Sequence, residues 1–340
     1  MRRISFAVLG VGRIGALHAA NLTGSIQGAR LVALVDPDLI RARSVLEGCG
    51  VESELPWVTD DLDLVLKDGS VDAVLIASPT DQHAEHLVRI AQAGKAILCE
   101  KPVSLDLGKA TAAIEAVKAA GVPMQIAFQR RYDPSYWAAS QALKHGDIGA
   151  LEMFRSVTCD PSPAPMSYLQ GSGGIFCDMT IHDIDLALFY GGEVEEVTAT
   201  GAVRIVPELA AIGDVDTAVL ALRYKSGALG VLQSWRRAVY GYEASCELYG
   251  SKGKLVVQDG RATGLTRFND RGACEDYPSG FISRFREAYR LEVQAFVDAL
   301  LHRREPSPGP DDALASLRVA LAATRSLREG RTVKVAEVTA

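Results

Sequence analysis

Short apolar runs alternate with amphipathic stretches through the first 128 residues. The run ISFAVL at 4–9 has the character of a buried strand, and the segment 13–22 after it has helical spacing. Further strands are expected at 31–35, 71–77, 96–99 and 122–128. Helices are expected to end near Ala93 and to run over 107–120, the second stopped by Gly121. Repeated strand–helix units predict a parallel sheet with helices on both faces. Beyond residue 128 the rhythm changes. After one helix at 135–144 come runs at 153–158, 194–203, 217–224, 228–235, 244–249 and 254–258. Several of them alternate polar and apolar, as strands of a sheet with one covered face should. This second sheet is expected to be antiparallel or mixed. Two helical runs, 285–301 and 312–327, are placed to pack back on the first domain. The expected fold class is α/β, with a doubly wound parallel domain at 1–124 and a second domain at 125–340.

Composition narrows the functional classes. A chain of 340 residues is too long for one small core, so two domains are natural. The net charge of −6 offers no basic face, which argues against nucleic-acid or membrane-surface partners. No run approaches the roughly 18 apolar residues of a membrane span. Arg2 and Arg3 precede an apolar run, but Arg13 cuts it short, so it reads as a strand and not an export signal. The six cysteines form no C-x-x-C pair and mostly sit in apolar runs, a pattern that fits a reducing, cytoplasmic setting. The open face of the second sheet suggests a homo-oligomer, a dimer or tetramer.

The first strand ends in Gly10-Val11-Gly12-Arg13-Ile14-Gly15, a G-x-G-x-x-G turn that opens a helix. Gly10 makes the tight turn, Gly12 admits a pyrophosphate, and Gly15 lets helix and strand approach. The helix N-terminus presents free N–H groups to phosphate. Asp36 ends the second strand, where an acidic side chain binds adenosine ribose hydroxyls and repels a 2′-phosphate. NAD is therefore favoured, while Arg41 and Arg43 keep NADP open. Asp36 as a plain helix cap before Pro37 is the alternative. Ser78, Thr80 and His83 follow the third expected strand and Glu100-Lys101-Pro102 follows the fourth. Ligands of such sheets bind beyond these strand ends.

The segment GGIFCDMTIHDID at 173–185 places Asp178 and His182 four residues apart, on one face of an expected helix that Asp185 continues. One reading is a helix-terminal Asp with a satisfied structural His. A metal site is another, but Asp178 and Asp183 point in different directions, so no metal is expected. The chemical reading is alcohol oxidation. His182 takes the hydroxyl proton as hydride leaves, Asp178 holds the imidazole, and Lys101 donates to the same oxygen.

GVGRIG, CEKP and GGIFCDMTIHDID together resemble the glucose–fructose oxidoreductase / inositol dehydrogenase / rhizopine-catabolism family, in order along the chain. The resemblance implies an N-terminal Rossmann domain and a C-terminal α/β domain with a large open, mostly antiparallel sheet. It implies Lys101, Asp178 and His182 as catalytic residues and a cis peptide before Pro102. The stretches FQRRYD at 128–133 and WRRAVYGY at 235–242 resemble segments of the family's inositol dehydrogenases, with Trp235 in place of Ser and Glu243 in place of Asp. Gln129, Arg130, Tyr240 and Tyr242 would then meet a polyol; strand-edge surface positions are the other reading for each. The implied activity is NAD-dependent oxidation of a cyclic polyol, myo-inositol to 2-keto-inositol. A sugar dehydrogenase, an NAD-dependent glycosidase and an NAD-sensing regulator are the alternatives.

Overall fold

The computed structural model describes residues 2–50, 56–258 and 260–340. The chain divides into two compact units, residues 1–129 with 289–314 and 340, and residues 130–288 with 315–339.

The first unit is a six-stranded, wholly parallel sheet. Its strands are β1 (Ile4–Leu9), β2 (Ala29–Val35), β3 (Trp57–Thr59), β4 (Ala73–Ile76), β5 (Ala96–Glu100) and β6 (Met124–Ala127). They lie in the order β3-β2-β1-β4-β5-β6. This is the doubly wound dinucleotide-binding order, in which the winding reverses between β1 and β4. Helices α1 (Arg13–Gly24), α2 (Leu39–Gly48), α3 (Leu62–Lys67), α4 (Thr80–Gln92) and α5 (Leu107–Ala120) connect the strands. α5 ends where Gly121 turns left-handed at φ 65°, as its sequence predicts. All six residues of β1 are buried, which is why it reads as an unbroken apolar run. One core cluster joins Phe6, Val8, Leu34, Leu75 and Leu98 to Val293, Phe296 and Val297, from the part of the late helix that belongs to this unit. Truncating a side chain such as Phe6, fully buried here, costs about 3–5 kcal/mol in cores of this kind.

The second unit holds a seven-stranded sheet. Its elements in chain order are α6 (Pro134–His145), β7 (Leu151–Cys159), α7 (Met166–Leu169), α8 (Gly174–Asp178), α9 (Ile181–Gly191), β8 (Val194–Ala202), β9 (Thr217–Tyr224), β10 (Leu229–Trp235), β11 (Glu243–Gly250) and β12 (Gly253–Val257). There follow the hairpin β13 (Thr266–Asn269) and β14 (Gly272–Glu275), the helices α10 (Phe281–Leu301) and α11 (Pro310–Glu329), which begin in one unit and end in the other, and the short strand β15 (Val333–Lys334). The sheet order is β12-β11-β7-β10-β9-β8-β15. Only β7 and β10 pair in parallel; the remaining neighbours are antiparallel, so the sheet is mixed. Burial alternates residue by residue along β9, as its sequence predicts. α9 packs against β7 and β10. Among the described residues no helix is long and apolar enough to cross a membrane.

Candidate active site

The first unit builds its site from strand ends. Gly10 has φ +86°, and a Cβ there would lie 2.6 Å from the Ala77 oxygen and the Ser78 nitrogen. A Cβ on Gly15 would collide with the Gly10 carbonyl, so both positions exclude a side chain. Gly12 differs: nothing lies within 4 Å of where its Cβ would be. That open cradle, ahead of a helix with no side-chain cap, fits a pyrophosphate. Arg13 and Ile14 open the helix, Arg13 exposed and Ile14 half-buried.

Asp36 is buried and tied back to this turn. Its Oδ2 accepts from the Val11 N–H at 2.8 Å, and its Oδ1 from the Asp38 N–H at 2.9 Å and from Arg41 Nη2 at 2.6 Å. Burial pushes its carboxyl up, but these donors outweigh it and hold the value below the ordinary one. The cap of α2 is Asp38, which accepts from the Arg41 N–H, so the capping alternative for Asp36 is corrected.

Two histidines brace Lys101. His83 is fully buried, with Nδ1 2.8 Å from the Pro102 oxygen and Nε2 2.8 Å from the Ser78 oxygen. Burial pulls its imidazole below the ordinary value, against both carbonyls. His83 thus ties together the turns after β4 and β5, and its expected contact with a cofactor gives way to that supporting place. His18, on α1 and equally buried, sets Nε2 3.1 Å from Glu100 Oε1. One histidine thereby holds the residue before Lys101 and the other the residue after it. The Lys101–Pro102 peptide is cis. Ser78 Oγ lies 3.0 Å from His86 Nδ1, and Thr80 is the first residue of α4. Gln129 is buried in the short 3-10 turn Gln129–Tyr132.

In the second unit the expected single helix is two. α8 ends at Asp178 and α9 begins at Ile181, with Met179 and Thr180 between them. The cause is local. Both the Met179 and Thr180 N–H groups donate to the Ile175 carbonyl, and the Thr180 hydroxyl bonds the same oxygen and Ser234 Oγ. A hydroxyl competing for helix carbonyls interrupts the ladder. At the other end of α8, Gly173 and Gly174 both have positive φ, and Asp214 Oδ1 accepts from the Ile175 N–H at 2.9 Å. A Cβ on Gly174 would lie 2.9 Å from that same oxygen, which explains the glycine there.

Asp178 is gripped on both oxygens. Tyr168 donates its hydroxyl to Oδ1 at 2.7 Å and Arg236 donates Nη2 to Oδ2 at 2.9 Å. The Arg236 side chain is 2% exposed, so this ion pair is well shielded. His182 is half-buried on the first turn of α9. Asp185 is clasped by Arg131, with Nε to Oδ2 at 2.9 Å and Nη2 to Oδ1 at 2.6 Å. Asp183 Oδ1 accepts from Arg130 Nη1 at 2.9 Å and from Thr158 Oγ1 at 3.0 Å.

These pairs revise the reading of Arg130 and Tyr242 as groups facing a polyol. Arg130 is 1% exposed, bonded to Asp183, Thr158 and the Tyr242 hydroxyl, with Phe285 beside it. Burial pushes the Tyr242 hydroxyl up to about 12. Both are support for α9. Tyr240 is 46% exposed, bonded to Glu243 and stacked edge-on with Tyr277. The sequence reading gave no role to His18, Tyr168 or Asp214, and it quoted Arg236 only as part of a resemblance. The nearest signal was the regular G-x-x-G-x-x-H spacing from Gly12 to His18.

Residues 4–128 match the family model described as an oxidoreductase family with an NAD-binding Rossmann fold, and residues 136–256 match the GFO/IDH/MocA C-terminal domain. The chain is 40% identical over 333 residues to myo-inositol 2-dehydrogenase of Thermotoga maritima, covering 97% of this chain and 98% of that one. It is 36% identical to scyllo-inositol 2-dehydrogenase (NAD(+)) of Bacillus subtilis, covering 98% and 96%. The structure also resembles scyllo-inositol dehydrogenase from Lactobacillus casei with bound NAD(H) and scyllo-inositol, with a TM-score of 0.92 and 29% identity over 98% of this chain and 99% of that one. With its Rossmann unit, E-K-P turn and mixed-sheet unit matched from end to end, the chain belongs to the GFO/IDH/MocA family of oxidoreductases.

Proposed function

We propose that this chain oxidises a cyclic polyol with NAD, taking myo-inositol to 2-keto-inositol. One observation carries the reading. Two relatives matched along nearly the whole chain are named inositol 2-dehydrogenases, and this chain carries Lys101, Asp178 and His182 in the E-K-P and D-x-x-x-H motifs of its resemblance to the family. NAD supplies the hydride acceptor. Gly12 and the open N-terminus of α1 receive its pyrophosphate, and Asp36 has acceptor capacity left for ribose hydroxyls.

The protein's own groups move the proton. Lys101 donates a hydrogen bond to the reacting hydroxyl oxygen, stabilising the negative charge that grows as the proton leaves. His182 accepts that proton, work suited to an imidazole near neutral pH. Asp178, fixed by Tyr168 and Arg236, orients the His182 imidazole and steadies the imidazolium that forms. Tyr240, 46% exposed, offers a polar group to the remaining hydroxyls. The enzyme works in the cytoplasm as a homo-oligomer, its sheet face serving as the contact.

Reduction of NAD by the purified protein tests this, followed by absorbance with myo-inositol, scyllo-inositol and an aldose as separate substrates. Rapid reduction with an inositol and slow reduction with the aldose is the expected result. Faster reduction with the aldose overturns the substrate. Sugar release from a glycoside without net reduction overturns the reaction.

A further inference from the structure

Asp36 does not meet the cofactor loop alone. Its carboxylate is paired with Arg41 at 2.6 Å, and the Arg41 side chain is 49% exposed where Asp36 is buried. The other terminal nitrogen of Arg41, Nη1, lies 3.9 Å from Asp38 Oδ2, so two carboxylates share this guanidinium. The turn after β2 therefore carries two negative charges and one half-exposed positive charge. Three of the roughly four acceptor directions of the Asp36 carboxylate are used, by Val11, Asp38 and Arg41. A ribose hydroxyl can take the fourth without dislodging Arg41.

We propose that Arg41 is a selectivity-setting residue for the cofactor, one that lets this chain bind NADP as well as NAD. A 2′-phosphate arriving beside Asp36 meets a repelling carboxylate. It also meets a half-exposed guanidinium that gives Nη2 to Asp36 and holds Nη1 only at 3.9 Å from Asp38. Guanidinium matches phosphate in a two-pronged hydrogen bond that carboxylate neighbours do not prevent. Without Arg41, Asp36 and Asp38 would stand uncompensated and the phosphate would be rejected outright. Arg43 gives an internal control, because it lies about 200° around α2 from Arg41.

Calorimetric titration of NAD and NADP, with no substrate present, tests the proposal independently of any reaction. The proteins are the native chain and its Arg41→Ala, Arg43→Ala, Asp36→Ala and Asp36→Ala/Arg41→Ala variants, each checked for a cooperative unfolding transition above the titration temperature. Arg41→Ala is expected to weaken NADP about tenfold while NAD stays within about twofold, a selective loss of one charged contact. Asp36→Ala should raise NADP affinity above that for NAD, and adding Arg41→Ala should cancel the gain. Arg43→Ala should change neither. Equal weakening of both cofactors by Arg41→Ala would overturn the proposal, since Arg41 would then only orient Asp36. Unchanged NADP affinity in Arg41→Ala would overturn it too. Failure of inositol oxidation would leave these titrations untouched, so the two readings fail separately.

Discussion

The Lys101 turn and the Asp178–His182 element reach their geometry by opposite means. Lys101 sits at the end of β5, and its neighbours are placed by strand register and two buried histidines on nearby helices. Asp178 and His182 sit on short helices pinned from afar. Arg236 reaches Asp178 across 58 positions, Arg131 reaches Asp185 across 54, and Arg130 reaches Asp183 across 53. A site held by backbone register tolerates side-chain change. A site held by buried ion pairs does not, because removing one partner leaves an uncompensated charge.

The sharpest way to break this contrast is Lys101→Ala. Turnover with myo-inositol should fall roughly 10²–10⁴-fold while NAD affinity stays within about twofold, because only the reacting oxygen loses its donor. Steady-state kinetics alongside calorimetry reads both. A comparable loss of NAD affinity would mean that the turn is a cofactor contact first.

Next comes stability. Arg131→Met removes both hydrogen bonds that Arg131 gives Asp185, 1% exposed, and should cost about 3–5 kcal/mol in urea unfolding. Replacing both residues, Arg131→Met with Asp185→Leu, should recover most of it. If the single change is neutral, the ion pairs do not hold α9.

A smaller effect is expected at Asp36. Its folded value is lowered, so its contribution is present above the unfolded carboxylate value near 3.8 and is lost as pH falls through the folded value. Asp36→Asn should therefore cost about 1–2 kcal/mol near neutral pH and almost nothing near pH 2. Unfolding curves at the two pH values check the sign; a difference that grows in acid refutes it.

The smallest belongs to the surface. Glu196 and Arg223 pair across β8 and β9, but Arg223 is 53% exposed. Glu196→Gln should change stability by less than about 1 kcal/mol. A larger loss would blur the line drawn between buried and exposed pairs.

The same contrast explains what the sequence could reveal. β1, the glycine turn, Asp36 and the E-K-P turn follow one another within a few residues of a strand end, so pattern and spacing expose them. β3 and α3 escaped because they are only 3 and 6 residues long, too short for a periodic signal. The hairpin of β13 and β14 escaped because its strands bury almost nothing and show no alternation. The break at Met179 and Thr180 was invisible for a different reason. It depends on Ser234, which lies 54 positions from Thr180. In the F-x-R-R stretch Arg130 reads as a polyol contact, because nothing in the spacing says that Asp183 is its partner.

The most direct test of the account uses His182→Ala. NAD is titrated into the variant calorimetrically, and its reduction by myo-inositol is then followed by absorbance. The account predicts NAD affinity within about twofold of the native chain and turnover lowered roughly 10²–10⁴-fold. Turnover near the native level, or a loss of NAD binding that matches the loss of turnover, would contradict it.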